Sequence, residues 1–206
     1  LKLKITDFDM SKNGDSYING EKLDVNVSLW PLFVGDVELN YVALEHLNLN
    51  TKEMMPEMAI SGDVGYFRTV ARNIELTNEI ANLRQVHLYG ANLNIELKDT
   101  IVEEEEDEEP SKWIINLHKA KIENSAISIS MPSDSIKAKA EIGTMRLRKG
   151  YVNLDKEIYS VGKIRLEQGK ITYDKGYLSK EEAPLDHICL QDVSLGIDNV
   201  KYSPDY

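Results

Sequence analysis

Apolar residues recur along this chain in an alternation that stutters. In IRLEQGKITYD (164–174), Ile164 and Leu166 alternate with charged residues, and Ile171 and Tyr173 alternate in the same way. Period two is the mark of a strand with one buried face. Yet Leu166 and Ile171 are five positions apart. In a flat strand an odd step sends the second pair to the opposite face.

The unit recurs along the chain. VALEHLNLN (42–50) places Leu44 and Leu49 five apart. VHLYGANLNIEL (86–97) does so with Leu88 and Leu93, preceded by Val86 and followed by Ile95. INLHKAKIENS (115–125) gives Leu117 and Ile122, and MRLRKGYVNL (145–154) gives Leu147 and Val152, then Leu154. HICLQDVSLGID (187–198) gives Leu190 and Leu195, then Ile197. The template is an aliphatic, any residue, Leu, four mostly small or polar residues, then aliphatic, any, aliphatic. A bulge or kink in the spacer would return both half-strands to one face, and Gly there supplies the positive φ that some bulges need. A tight turn, making each unit a small hairpin, is the other solution.

The rest of the chain reads as strands. LKLKITDFDM alternates through Leu1, Leu3, Ile5 and Phe8. SKNGDSYING reads as a loop, and EKLDVNVSLW as a strand that Pro31 should end. Residues 51–65 are the least strand-like, with a short helical turn expected before Pro56, and a helix is allowed at 66–73. Met131-Pro132-Ser133-Asp134 is a turn. Such spacing predicts an all-β, mostly antiparallel, elongated and curved sheet built from meanders. The expected organisation is a first segment over 1–100, a solvated acidic loop over 101–112, and a second, continuous segment over 113–206.

Every strand carries one apolar face, and little helical sequence exists to cover it. Either two sheets close on each other as a sandwich or β-helix, or one sheet curls around something that is not protein. A ten-residue strand spans ~33 Å, comparable with the ~30 Å hydrocarbon core of a bilayer.

Charge narrows the partners. The net charge is −11, which disfavours nucleic acid and an anionic membrane surface. EEEEDEE (103–109) is a solvated run without EF-hand spacing. Cys189 stands alone and cannot form an internal disulfide. Neither a signal peptide nor a long apolar span is present. The chain starts inside a strand pattern and stops after a repeat, so it reads as a segment of a longer protein.

At this point the residues resemble a known family. VSLWPLFVGDVELNYVALEHLNLN (27–50) looks like the segment of AsmA-type envelope proteins in which a strand runs into a Pro-Leu turn, a Gly and paired strands. LHKAKIENSAISISMPSD (117–134), YSVGKIRLEQGKITYD (159–174) and LDHICLQDVSLGIDNVKY (185–202) resemble the TamB branch, near its N-terminal periplasmic part. The resemblance implies a periplasm-spanning protein anchored by one inner-membrane helix. It implies a taco-like β-groove with an apolar interior, and a role in moving phospholipid to the outer membrane and in assembling outer-membrane proteins. The implied partners are phospholipid acyl chains, an outer-membrane barrel protein and the remainder of the same chain. The implied lining is the aliphatic set of the repeat named above. The acidic run is not part of the family pattern.

Catalytic chemistry has no foothold. His46, His87, His118 and His187 lie in or beside separate repeat units and read as surface or hydrogen-bonded residues, not as a metal set. No nucleophile elbow or phosphate-binding Gly loop occurs. With 35 Asp and Glu residues, a close carboxylate pair carries no information about glycoside hydrolysis. No cofactor and no enzymatic activity are expected. Trp30 reads as a plug at a sheet end and Trp113 as the anchor of a returning strand, with core packing the default for both. The competing functions are a lipid-holding groove, an interaction scaffold whose strand edges bind an envelope partner and, ranked last because aromatics are only 7% of residues, an enzyme or carbohydrate binder on a β-solenoid.

Overall fold

The computed structural model describes residues 1–12, 15–33, 37–51, 58–98, 112–178 and 186–204. These form one sheet of nine strands: β1 (Lys2–Lys12), β2 (Asp15–Val27), β3 (Glu38–Asn50), β4 (Met58–Glu75), β5 (Ile80–Leu97), β6 (Ile114–Met131), β7 (Ile136–Asn153), β8 (Ile158–Lys175) and β9 (Asp186–Tyr202). Strand order in space follows strand order in sequence. Every neighbour pair is antiparallel except β5–β6, which is parallel. The sheet is elongated and does not close into a barrel.

Among the described residues no second layer exists, so the sandwich and β-helix solutions are excluded. The only helix described is α1 (Leu29–Leu32), which takes over after β2 ends. The helix allowed at 66–73 is instead the middle of β4: Val64, Phe67 and Thr69 each pair across to β3 and β5. Pairing on both sides overrides a weak local preference. The loop read at SKNGDSYING is also shorter, since β1 runs to Lys12 and β2 starts at Asp15. The helical turn before Pro56, and the acidic loop apart from Lys112, lie outside the described residues.

Trp30 is a correction: it is 79% exposed, with the Phe33 ring edge-on to it at 6.5 Å. Trp113 is half-buried, and its carbonyl accepts the Leu154 N–H at 3.0 Å.

The five-residue step is resolved by a kink shared across the sheet. His46, Gly90, Asn124, Gln168 and Asp192 all have positive φ. Each sits two residues after an aliphatic position: Leu44, Leu88, Ile122, Leu166 and Leu190. Pairing aligns the first four in one seam, while Asp192 falls where the β8–β9 register is irregular. Thr6↔Lys22 and Phe8↔Gly20 leave Asp7 facing Glu21. His46 then faces Glu21 on one side and Gly65 on the other. The line continues through Gly90, Asn124, Gly143 and Gln168. From β1 to β8 the strands leave the alternation at the same row, so register is the same on both sides of it; between β8 and β9 the register shifts at Gly169. A second seam runs past His118, Lys149 (φ 56), Gly162 and Asn199 (φ 58).

Small residues make the first seam possible. Gly90 takes the left-handed conformation itself (φ 63), at no Cβ cost. Gly143 does not; it lies between two left-handed neighbours, Asn124 and Gln168. A Cβ there would fall 2.9 Å from the Gln168 carbonyl oxygen.

Candidate functional site

Paired residues in a ladder share a face, so the register assigns each sequence-predicted position. One row reads Ile5, Leu23, Leu44, Phe67, Leu88, Ile122, Met145, Leu166, Leu195. It crosses all nine strands without a polar member. The next row, two residues along, reads Leu3, Val25, Val42, Thr69, Val86, Ala120, Leu147, Ile164, Ile197.

Beyond the first seam, Leu49, Gly62, Leu93, Ile127, Ala140, Ile171 and Leu190 form a third row. Ile95 follows in a fourth, between Ile60 and Ile129. Beyond the second seam, Leu117 pairs with Leu83 and Gly150, and Val152 with Ile115 and Tyr159. Leu154 lies past the end of β7, in the turn to β8.

The rows on the two sides of the first seam do belong to one face. Leu47, Val64 and Ala91 form a buried cluster at the seam, and Leu44, Leu49, Phe67, Leu88 and Leu93 pack against it from both half-strands. These three residues were not singled out by the repeat. The signal for Leu47 and Ala91 was in the spacer: its third residue (Leu47, Ala91, Ala120, Gly150, Gly169, Val193) is apolar or small each time. That residue rejoins the apolar face three positions after the Leu.

Among the described residues nothing covers this face. Among the predicted positions only Leu166 is buried; Leu190, Leu195 and Ile197 are exposed, and the rest are half-buried by their own neighbours. No large side chain reaches complete burial. The chain exposes 13861 Å², where a compact protein of 23.4 kDa would expose about 9,700 Å². Eight inter-strand spacings make the face roughly 38 Å wide. Contiguous apolar patches beyond a few hundred Å² mark interaction surfaces on soluble proteins.

One polar atom interrupts the apolar rows: Thr69 Oγ1 is buried between Val42 and Val86 without a hydrogen-bond partner.

The opposite face is charged and cross-linked. Lys121 and His87 both reach Glu123, at 2.7 and 2.8 Å, and Arg146 reaches Glu167 at 2.7 Å. Lys121 first and His87 second hold the Glu123 carboxyl below the usual carboxylate range. Arg165 does the same for Asp198. The histidines do not converge: His46 pairs with Glu21, His87 with Glu123 and His187 with Asp174, while His118 is exposed. No group of three metal-ligating side chains occurs among the described residues. Cys189 is exposed.

No helix among the described residues is long and apolar enough to cross a membrane. No family model matches the chain, and no curated protein matches it either. The structure itself gives an open, elongated β-scaffold with one apolar and one charged surface, suited to a structural or interaction role.

Proposed function

We propose that this chain is a segment of an AsmA/TamB-like, periplasm-spanning protein, anchored in the inner membrane by a helix elsewhere in that protein. Its apolar face forms one wall of a groove that holds phospholipid acyl chains on their way to the outer membrane. The observation that carries this reading is the row from Ile5 to Leu195, apolar in all nine strands and covered by none of the described residues. The seam supports it, because the kink keeps both half-strands of each repeat on that surface. The resemblance of residues 27–50, 117–134, 159–174 and 185–202 to the family supplies the lipid and the compartment.

Site-specific photo-crosslinking tests it. A crosslinker at Leu93 or Ile171 should label phospholipid, whereas one at Glu96 or Lys170, on the charged face, should not. Native mass spectrometry should find co-purified phospholipid. Equal labelling of the two faces overturns the lipid role.

A second reading has its own observation. β9 is exposed along almost its whole length and leaves one edge of the sheet without a strand partner. Free edges recruit strands, so the scaffold would bind an envelope partner, such as an outer-membrane barrel protein, without carrying lipid. Capture of such a partner by lipid-free protein, lost when proline is placed in β9, favours this version.

A further inference from the structure

Along the charged face most strands match a cation with a carboxylate. Lys22 meets Glu45, Lys139 meets Glu141, Arg146 meets Glu167, and Arg165 meets Asp198. At the second seam the matching stops. Arg72, Arg84, His118, Lys119 and Lys149 line a single cavity of about 820 Å³, and among the described residues no carboxylate lines it with them. None of the five side chains has an ion-pair or hydrogen-bond partner among the described residues. Carboxylates close to it are engaged elsewhere: Glu75 by Asn73 and Asn78, Glu123 by Lys121 and His87, Asp198 by Arg165 and Lys163.

This concentration of unmatched positive charge stands in a chain whose net charge is −11. Like charges held together without a counter-charge repel one another, so the arrangement gains from an anion placed between them. The kink creates the geometry. β7 leaves the alternation at Lys149, and Lys149 faces His118 across the pair β6–β7. Arg84 stands at the equivalent point of β5, between the paired rows Leu83↔Leu117 and Val86↔Ala120. Two guanidinium forks with two ammonium groups suit phosphate oxygens, which take bidentate hydrogen bonds from Arg and point-charge contacts from Lys. Tyr151 also lines the cavity; its oxygen accepts from Asn153, which leaves its O–H free to donate.

We infer that the second seam carries a binding site for a phosphate-bearing anion, held by Arg72, Arg84, Lys119 and Lys149. The cavity is also lined by Leu83 and Leu117, so free phosphate and the phosphate of a lipid headgroup share the chemistry the site offers. The argument stands on the charge pattern and does not depend on what occupies the apolar face.

The test uses the 206-residue chain and two probes: inorganic pyrophosphate by titration calorimetry, and vesicles of phosphatidylcholine with or without phosphatidylglycerol by co-flotation. Arg84→Gln with Lys149→Gln removes two cluster charges. Lys139→Gln with Lys170→Gln removes two charges beside Glu141 and serves as the reference. Lys119→Gln, at an exposed position, gives an independent reading if the double variant misfolds. The cluster variant should bind about tenfold more weakly or worse, equivalent to ~1.4 kcal/mol, while the reference keeps wild-type affinity. Cluster-dependent binding of pyrophosphate assigns the site to a free phosphoanion. Cluster-dependent binding confined to phosphatidylglycerol vesicles assigns it to a headgroup. Binding to neither probe, or equal loss in cluster and reference variants, overturns the site.

Discussion

Gly143→Ala is the sharpest test of the shared kink. Gly143 has an ordinary φ, so local backbone preference gives no reason for glycine there. The reason is its neighbour. A Cβ would lie 2.7 Å from the Gln168 Cβ, 2.9 Å from the Gln168 carbonyl oxygen and 3.1 Å from that of Glu167. The two carbonyls belong to the β8 backbone and cannot move without breaking the β7–β8 ladder. Overpacking of this kind costs about 1–3 kcal/mol. At ~2 kcal/mol and a urea slope of ~2 kcal/mol/M, the unfolding midpoint falls by about 1 M. Gly90→Ala is the matched control. Its Cβ would meet only the Gly65 Cα at 3.9 Å, leaving the left-handed penalty of about 1 kcal/mol. Urea unfolding followed by circular dichroism gives both midpoints. A wild-type midpoint for Gly143→Ala, or a larger loss for Gly90→Ala, refutes a seam held by close backbone approach.

Two further outcomes follow from the same sheet. Thr69→Val removes a buried hydroxyl that lacks a partner and keeps the side-chain shape, so stability should rise by about 1 kcal/mol; thermal or urea unfolding reads it, and a loss of stability would mean the hydroxyl is satisfied. Glu123 is depressed in the folded state by Lys121 and His87, so its contribution is present above the usual carboxylate range and is lost as pH falls through its folded value. Glu123→Gln should therefore flatten the acid limb of a stability–pH profile and leave its alkaline limb unchanged.

Much of the fold was legible because β-structure writes its faces into the sequence at period two. Leu44, Leu88, Leu147, Leu166 and Leu195 could be placed on one face from the recurring five-residue step. What the step could not choose was kink or hairpin, since four spacer residues suit either. The decision lies in pairing between distant residues, such as His46 with Gly65 and Gly143 with Gln168. Residues 66–73 were ambiguous for a related reason: their strand state comes from neighbours on both sides. The basic cluster was invisible for a third reason. Arg72, Arg84, Lys119 and Lys149 come from four strands, and only the register sets them round one cavity. Trp30 misled because a large aromatic before Pro31 suggests packing, yet among the described residues no second layer exists for it to pack against.

The one parallel pair has a consequence for chain length. Ile80 lies beside Ile114 and Glu96 beside Ser130, so Leu97 and Ile114 sit at opposite ends of the sheet, up to ~56 Å apart along strands of this length. The 17 peptide steps between them can reach about 58 Å at full stretch. Without EEEEDEE the tether would reach only about 35 Å, too little slack for β6 to start beside Ile80. Joined by so short a leash, the second block would have to reverse polarity and run antiparallel to β5. A parallel neighbour thus demands a connection as long as the strands themselves, whatever its composition.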